Sequence, residues 1–142
     1  MNAQTTHTSP GNLLRSIGAV LLGFLATAVL SLGTDQLLHV LKFYPPWGQP
    51  MYDPVQNFTA LAYRCVFAVM GGYITARFAP RNPMRHVLVL AVIGLIMGTA
   101  GAIATIPMNL GPAWYPIALA LTALPCVWLG GVLHRRQQSR TG

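Results

Sequence analysis

Two charged residues lie inside apolar segments of the sequence, and they are the strongest candidates for chemistry in this chain. Asp35 precedes the end of one apolar segment at Leu41 by six residues, and Arg64 follows the start of the next at Phe58 by six residues. In an antiparallel helical hairpin both side chains would lie about 9 Å from the same end, since an α-helix rises about 1.5 Å per residue. A charge in hydrocarbon costs on the order of 2.5 to 3.5 kcal/mol on insertion scales. The spacing therefore predicts an ion pair that stabilises the hairpin. A substrate or proton site, and an early helix end that leaves Asp35 in water, are the alternatives.

Polar side chains near Asp35 extend this candidate site into a predicted cluster of Gln36, His39 and Tyr63. His39 follows Asp35 by one helical turn, and a neutral histidine beside a carboxylate can relay protons. A histidine at a helix end can instead lie at the level of the lipid headgroups, which is the role we favour. Asp35 and His39 offer two metal ligands, but a zinc site needs a third, and the sequence does not supply it. We therefore predict no metal site.

Other reactive residues are sparse. Cys65 and Cys126 lie in separate apolar segments, so neither a CxxC pair nor a zinc-knuckle spacing is present, and we interpret both as small core residues. The chain contains no phosphate-binding loop, dinucleotide fingerprint, nucleophile elbow or HExxH pattern. It has only two acidic residues. We expect no catalytic residue, no enzymatic activity and no cofactor.

Composition places these residues in a membrane protein. Of 142 residues, 54% are hydrophobic and 8% are charged, whereas a soluble domain has about 25% charged residues. The net charge of +7 accompanies long apolar runs rather than the polar surface of a nucleic-acid binder, so no nucleic-acid partner is expected. About 20 apolar residues of helix cross a bilayer. The sequence therefore predicts an all-α transmembrane four-helix bundle. Its spans lie at about 13–41, 58–78, 85–106 and 114–133, between a disordered polar tail (1–12) and a basic C-terminal tail (134–142).

Seven arginines lie on one side of this four-span topology. They are Arg15, Arg77, Arg81, Arg85, Arg135, Arg136 and Arg140. The opposite side holds only Lys42 and Asp53, whose charges cancel. Because short cytoplasmic segments carry the excess of Lys and Arg, both termini are predicted to be cytoplasmic. The small size favours a bacterial host, and hence a multi-pass protein of the inner membrane.

Small residues recur at helical spacing in the first two segments. Every fourth residue back from Asp35 is small or hydroxylated, through Gly23, and the corresponding stripe after Arg64 runs through Gly72. Helices associate in lipid where small residues let their backbones approach. The stripes, with Gly23 and Gly72 among their packing residues, predict that spans one and two pack face to face.

The third segment has its own stripe, with Gly94 and Gly98 in GxxxG spacing and Gly101 one turn further on. This pattern indicates a helix contact face. We favour packing within the bundle, and a contact across a dimer or with a membrane protein partner is the alternative.

Six short motifs are spread over most of the chain after the first dozen residues. They are Gly33-Thr34-Asp35, Pro46-Trp47-Gly48, Tyr63-Arg64, Gly71-Gly72-Tyr73, Pro83-Met84-Arg85-His86 and Trp114-Tyr115-Pro116. Together they resemble a family of small bacterial four-span integral membrane proteins without an assigned activity. The resemblance implies a location and a fold, and no catalytic residue.

The sequence as a whole predicts a structural or accessory subunit of the inner membrane that contacts the lipid bilayer and packs with itself or a membrane partner. The alternative is a small transporter or channel with an outward-facing polar site at Asp35, Arg64 and His39. Small multidrug transporters are similar in having four spans and an acidic residue in the first. However, the predicted Arg64 partner would neutralise that acid, and the strong arginine bias disfavours their antiparallel dimers.

Overall fold

The computed structural model describes residues 10–142, which form four long α-helices. These are α1 (Pro10–Val40), α2 (Pro54–Phe78), α3 (Pro83–Thr105) and α4 (Trp114–Thr141), with one 3-10 turn at Ile106–Met108. No strand occurs in the described residues. All four helices are long and apolar enough to cross a membrane. The predicted all-α four-helix bundle is confirmed.

Helices α2 and α3 each pack against all three other helices, and α2 makes the more extensive contacts. Helix α4 packs on α2 and α3, whereas α1 packs mainly on α2 and more weakly on α3. Consecutive helices are antiparallel, so Pro10 and Gly142 lie at one end of the bundle, which we call the terminal end. The segments 41–53 and 106–113 lie at the other, the loop end.

The helices extend beyond the predicted spans at several ends. Helix α1 begins at Pro10, inside the segment that was expected to be a disordered tail, and residues 1–9 lie outside the described part of the chain. Helix α4 continues past Leu133 to Thr141, so most of the basic C-terminal segment is helical. The hydrophobic pattern locates the apolar part of a helix but not the polar turns that continue it.

The end of α1 is a Schellman motif built without glycine. Lys42 adopts the left-handed conformation, with φ of 61°. The Phe43 N–H donates to the Leu38 carbonyl at 3.0 Å, and the Lys42 N–H donates to the His39 carbonyl at 3.1 Å. These are the two hydrogen bonds that define the motif. Helix α1 therefore continues well past Gly33 and ends in the turn before Lys42.

Helix α2 begins at Pro54, four residues before the predicted span. Asp53 is its N-cap, and its Oδ1 accepts hydrogen bonds from the N–H groups of Val55 at 2.8 Å and Gln56 at 3.3 Å. Proline suits the first helical position because its fixed φ matches the helix and its missing N–H would be unpaired there. Asp53 thus has a local structural role beside its charge.

Helices α1 and α2 approach each other most closely in the terminal half of the bundle. Gly23 lies against the Gly71 carbonyl and the Thr75 side chain. The Thr27 hydroxyl donates across the interface to the Phe67 carbonyl at 3.2 Å, and the Thr75 hydroxyl donates to the Ala19 carbonyl at 3.1 Å. The glycine at this interface lets backbone approach backbone, as in other helix pairs with small residues.

Helices α1 and α2 pack together as the stripes predict, but Gly72 of the α2 stripe faces α4. A Cβ atom on Gly72 would meet the backbone of Val127, and one on Gly130 would meet the backbone of Val69. Adjacent helical residues point about 100° apart, so Gly71 and Gly72 serve two different neighbours. The sequence stripe was assigned to the correct helix but to the wrong face.

The predicted α3 stripe packs within the bundle over part of its length. A Cβ on Gly98 would lie 2.9 Å from the Ala120 Cα of α4, and one on Gly94 would lie 3.4 Å from the Ala123 Cβ. Gly101 has nothing within 4 Å of such an atom, so the space beside it is open.

Candidate functional site

The loop half of the bundle contains an ion pair between α1 and α2. An Arg64 Nη2 atom donates to Asp35 Oδ2. Asp35 is 6% exposed, and the side chain of Arg64 is 28% exposed. The helix register places both residues at the same depth, so the structure brings together the two charged residues singled out in the sequence. Removing one member of a buried pair leaves an uncompensated charge, which costs about 3 to 5 kcal/mol.

Two tyrosines extend the ion pair toward the loop end. The Tyr63 hydroxyl donates to Asp35 Oδ1, so both carboxylate oxygens have partners. The Tyr44 hydroxyl lies 3.3 Å from the Tyr63 hydroxyl and donates to it. Burial raises the pKa of Tyr44 above its ordinary value. We call Asp35, Tyr44, Tyr63 and Arg64 the Arg64 cluster.

His39 and Gln36 do not hydrogen-bond to Asp35 but to the first loop. His39 Nδ1 lies 2.7 Å from the Pro45 carbonyl, and its ring stacks on Trp47 with centroids 3.9 Å apart. The Trp47 indole N–H donates to Gln36 Oε1 at 3.1 Å. The predicted polar cluster therefore divides: Tyr63 belongs to the ion pair, whereas His39 and Gln36 position the loop that covers it.

The first loop (41–53) is hydrogen-bonded to the second loop (106–113) at the same end of the bundle. The Met51 N–H donates to the Leu110 carbonyl at 2.6 Å, and the Tyr52 hydroxyl donates to the Asn109 carbonyl at 2.8 Å. Asn57, which is 1% exposed, donates to the Met51 carbonyl at 3.0 Å. These hydrogen bonds hold the first loop in place as a cover over the ion pair.

Arg64 also lines three cavities, which lie between the middle of the bundle and its loop end. A cavity of about 360 Å³ lies between all four helices, and another of about 340 Å³ lies toward the second loop. A third, of about 230 Å³, lies beneath the first loop and is lined by Asp35, His39 and Trp47 as well. Among residues 10–142, Arg64 Nε is the buried side-chain nitrogen or oxygen that has no hydrogen-bond partner. A buried donor without an acceptor costs about 1 to 3 kcal/mol.

The fold also brings the two cysteines together. Cys65 on α2 and Cys126 on α4 are close enough for their thiols to interact, and both are free. Sequence spacing does not reveal this pair, because the residues belong to parallel, non-consecutive helices. In the described part of the chain no group of three His, Cys, Asp or Glu side chains is placed to hold a metal ion.

Comparison of the chain with family models, with curated proteins and with solved structures found no match. The resemblance of its motifs to small four-span bacterial proteins stays a prediction. The chemistry open to the site therefore follows from its geometry alone: a mutually neutralised ion pair, a covering loop and one unpartnered donor beside a cavity.

Proposed function

We propose that this chain is a multi-pass protein of the bacterial inner membrane that serves as a structural or accessory subunit, with both termini in the cytoplasm. It would belong to the small four-span proteins that its motifs resemble. The support for the orientation is the terminal end of the bundle, where seven arginines lie at helix ends and in the connecting segment 79–82. Such an excess is typical of the cytoplasmic side.

The observation that carries the structural role is the use of Asp35. It is the only acidic residue within the four helices, and Tyr63 and Arg64 bind both of its oxygens. A proton-coupled carrier needs a carboxylate that is free to exchange its proton or cation, and this one is engaged across the α1–α2 interface. The geometry therefore favours a pair that fixes α1 to α2.

Helix α1 has the greatest need of such a pair. In its most apolar stretch 11% of the residues are buried, against 22% to 28% in the other helices. Large apolar side chains along it are more than half exposed, among them Leu14, Leu25, Val29 and Leu32. We assign this face to lipid and to a second copy or a membrane protein partner, the contact expected of an accessory subunit.

A double-mutant cycle tests the structural role. We expect Asp35→Ala and Arg64→Ala each to reduce the amount of folded protein in the membrane by at least about tenfold, since each leaves a buried charge unpaired. The double variant should recover most of the loss. Arg77→Ala, at the terminal end of α2, is the matched control and should accumulate normally. Normal accumulation of both single variants would refute the structural role.

The subunit role and the orientation have their own measurements. The mass of the complex released from native membranes into lipid nanodiscs should show a second copy or a stoichiometric foreign chain, and a monomer alone would contradict the proposal. Reporter fusions at residue 142 should be active in the cytoplasm. A periplasmic signal would overturn the orientation.

A small transporter is the second candidate, because three cavities meet at Arg64. It predicts that Arg64→Lys accumulates normally but loses substrate flux in proteoliposomes. The structural role predicts that the wild-type protein and Arg64→Lys accumulate in equal amounts and that neither carries substrate flux.

A further inference from the structure

The cavity between the four helices, which we call the central cavity, is lined by residues of every helix. Its volume of about 360 Å³ is within the range of small-molecule sites, about 300 to 1,000 Å³. Its walls are mainly apolar and include Phe24 of α1, Met97 of α3 and Leu119 of α4. Cavities with mainly apolar walls take up apolar ligands. The walls therefore select a ligand with an apolar body.

One end of the central cavity is polar. Arg64 forms part of the wall there, and its Nε–H is a buried donor without a protein acceptor. The Arg64 charge, however, is already balanced by Asp35. An anionic group would gain a hydrogen bond at Arg64 but meet the nearby carboxylate. An uncharged acceptor, such as a carbonyl oxygen, meets the donor without that repulsion.

The opposite end of the central cavity is closed. Leu90 and Val127 form its wall there, and both belong to the buried core together with Val87 and Ala76. Beyond them the backbones of α2 and α4 are in contact at Gly72 and Gly130. The cavity is therefore a pocket that is closed toward the terminal end, which suits a bound ligand rather than a passage.

From these three observations we infer that the central cavity binds an uncharged, chain-bearing lipid, with its carbonyl oxygen at Arg64 Nε and its hydrocarbon between the four helices. This site does not depend on the proposed subunit role. The carbonyl can come from an ester, an amide or a quinone, since each presents the same acceptor on an apolar body.

Photolabelling in lipid nanodiscs tests the inference with the full-length protein. The two reagents are a long-chain fatty acid methyl ester that carries a diazirine on its chain, and the corresponding diazirine alkane without the ester. We expect the ester to label cavity residues, such as Ala28, Cys65 and Ala123, about tenfold more than the alkane does. The free diazirine fatty acid should label them less than the ester does. Equal labelling by ester and alkane would overturn the role of Arg64, and stronger labelling by the acid would overturn the uncharged head.

Variants separate the cavity from the lipid-facing surface. Thr122→Leu places a larger apolar side chain in the central cavity and should reduce ester labelling about tenfold. Thr59→Leu is its matched control, because Thr59 also donates to the carbonyl four residues earlier in its own helix but lies outside the cavity. Labelling that is unchanged in Thr122→Leu, or that falls equally in Thr59→Leu, would contradict the inference.

Two further variants keep the test decisive. Ala28→Leu fills the same cavity from α1 and should act like Thr122→Leu if that variant accumulates poorly. Arg64→Lys keeps the charge that pairs with Asp35 but removes the Nε donor, so it should abolish the preference of the cavity for the ester over the alkane. A preserved preference would show that Arg64 does not bind the head.

Discussion

The two halves of the bundle differ in how their helices meet. In the terminal half, glycines bring backbones into contact, and the hydroxyls of Thr27 and Thr75 donate across the α1–α2 interface. In the loop half, α3 and α4 still meet at Gly98 and Ala120, but three cavities reach Arg64, and Arg64 and Asp35 join α1 to α2. Close packing leaves no room for a ligand, whereas the loop half combines space with a free donor. Within the described residues, the half that is packed less tightly is therefore the half that can bind.

The largest expected effect lies in the terminal half. Gly72→Val should cost about 3 kcal/mol or more, because its added atoms meet the Val127 backbone, which cannot move aside as a side chain can. Gly101→Val is the control, since nothing lies within 4 Å of its added Cβ. Unfolding by SDS titration in mixed micelles measures both. Similar stability of the two variants would remove the distinction between a closely packed and an open half.

The next effect lies in the Arg64 cluster. Tyr63→Phe should lower the unfolding free energy by about 2 kcal/mol, because a hydrogen bond to a charged carboxylate is lost. Tyr52→Phe loses an exposed hydrogen bond to the Asn109 carbonyl and should cost only about 0.5 kcal/mol. The same SDS titration compares them. Equal losses of unfolding free energy would show that the hydrogen bond to the Asp35 carboxylate is no stronger than the exposed one to Asn109.

A larger side chain in the central cavity should raise the unfolding free energy, whereas a larger one in the terminal half should lower it. Thr122→Leu is expected to raise the unfolding free energy by about 1 kcal/mol, as cavity-filling substitutions commonly do. Thermal unfolding in detergent, followed by tryptophan fluorescence, measures the shift in Tm. A destabilisation as large as that of Gly72→Val would mean that the loop half is packed as tightly as the terminal half.

The smallest expected difference is between the same substitution, threonine to valine, at two positions in the bundle. Thr75→Val removes a hydrogen bond to another helix and should cost about 0.6 kcal/mol. Thr122→Val removes a bond within its own helix, to the Ala118 carbonyl at 2.8 Å, and should leave stability nearly unchanged. SDS titration of both variants checks the order, and the reverse order would contradict the assigned interfaces.

The helices and the ion pair could both be predicted from the sequence, and for the same physical reason. Apolar runs as long as the bilayer is thick are strong signals, and a charge within such a run needs a partner at equal depth. Only Asp35 and Arg64 met that condition, and the structure joins them. A stripe of small residues is a weaker signal, because it identifies a contact face but not which helix fills it. That is why Gly72 was assigned to α1 rather than to α4.

The remaining features depend on local geometry or on non-consecutive helices. The end of α1 at Lys42 could not be predicted, because no glycine occupies the left-handed position. The start of α2 is signalled by Asp53-Pro54, an N-cap pattern that hydrophobicity alone does not detect. Burial of Tyr44 and the proximity of Cys65 to Cys126 follow from the arrangement of the bundle. No spacing along the chain predicts them.

The hydrogen bond between Met51 and Leu110 sets an order of events during biosynthesis. A ribosome delivers α1 and α2 before residue 110 exists, and domains form progressively from the N-terminus during synthesis. The α1–α2 hairpin can pair Asp35 with Arg64 at that stage, but the Met51 N–H has no Leu110 carbonyl to bind. The cover over the site therefore closes only after α3 and the segment that contains Leu110 have been synthesised, so a nascent chain that stops earlier leaves the Asp35–Arg64 pair uncovered.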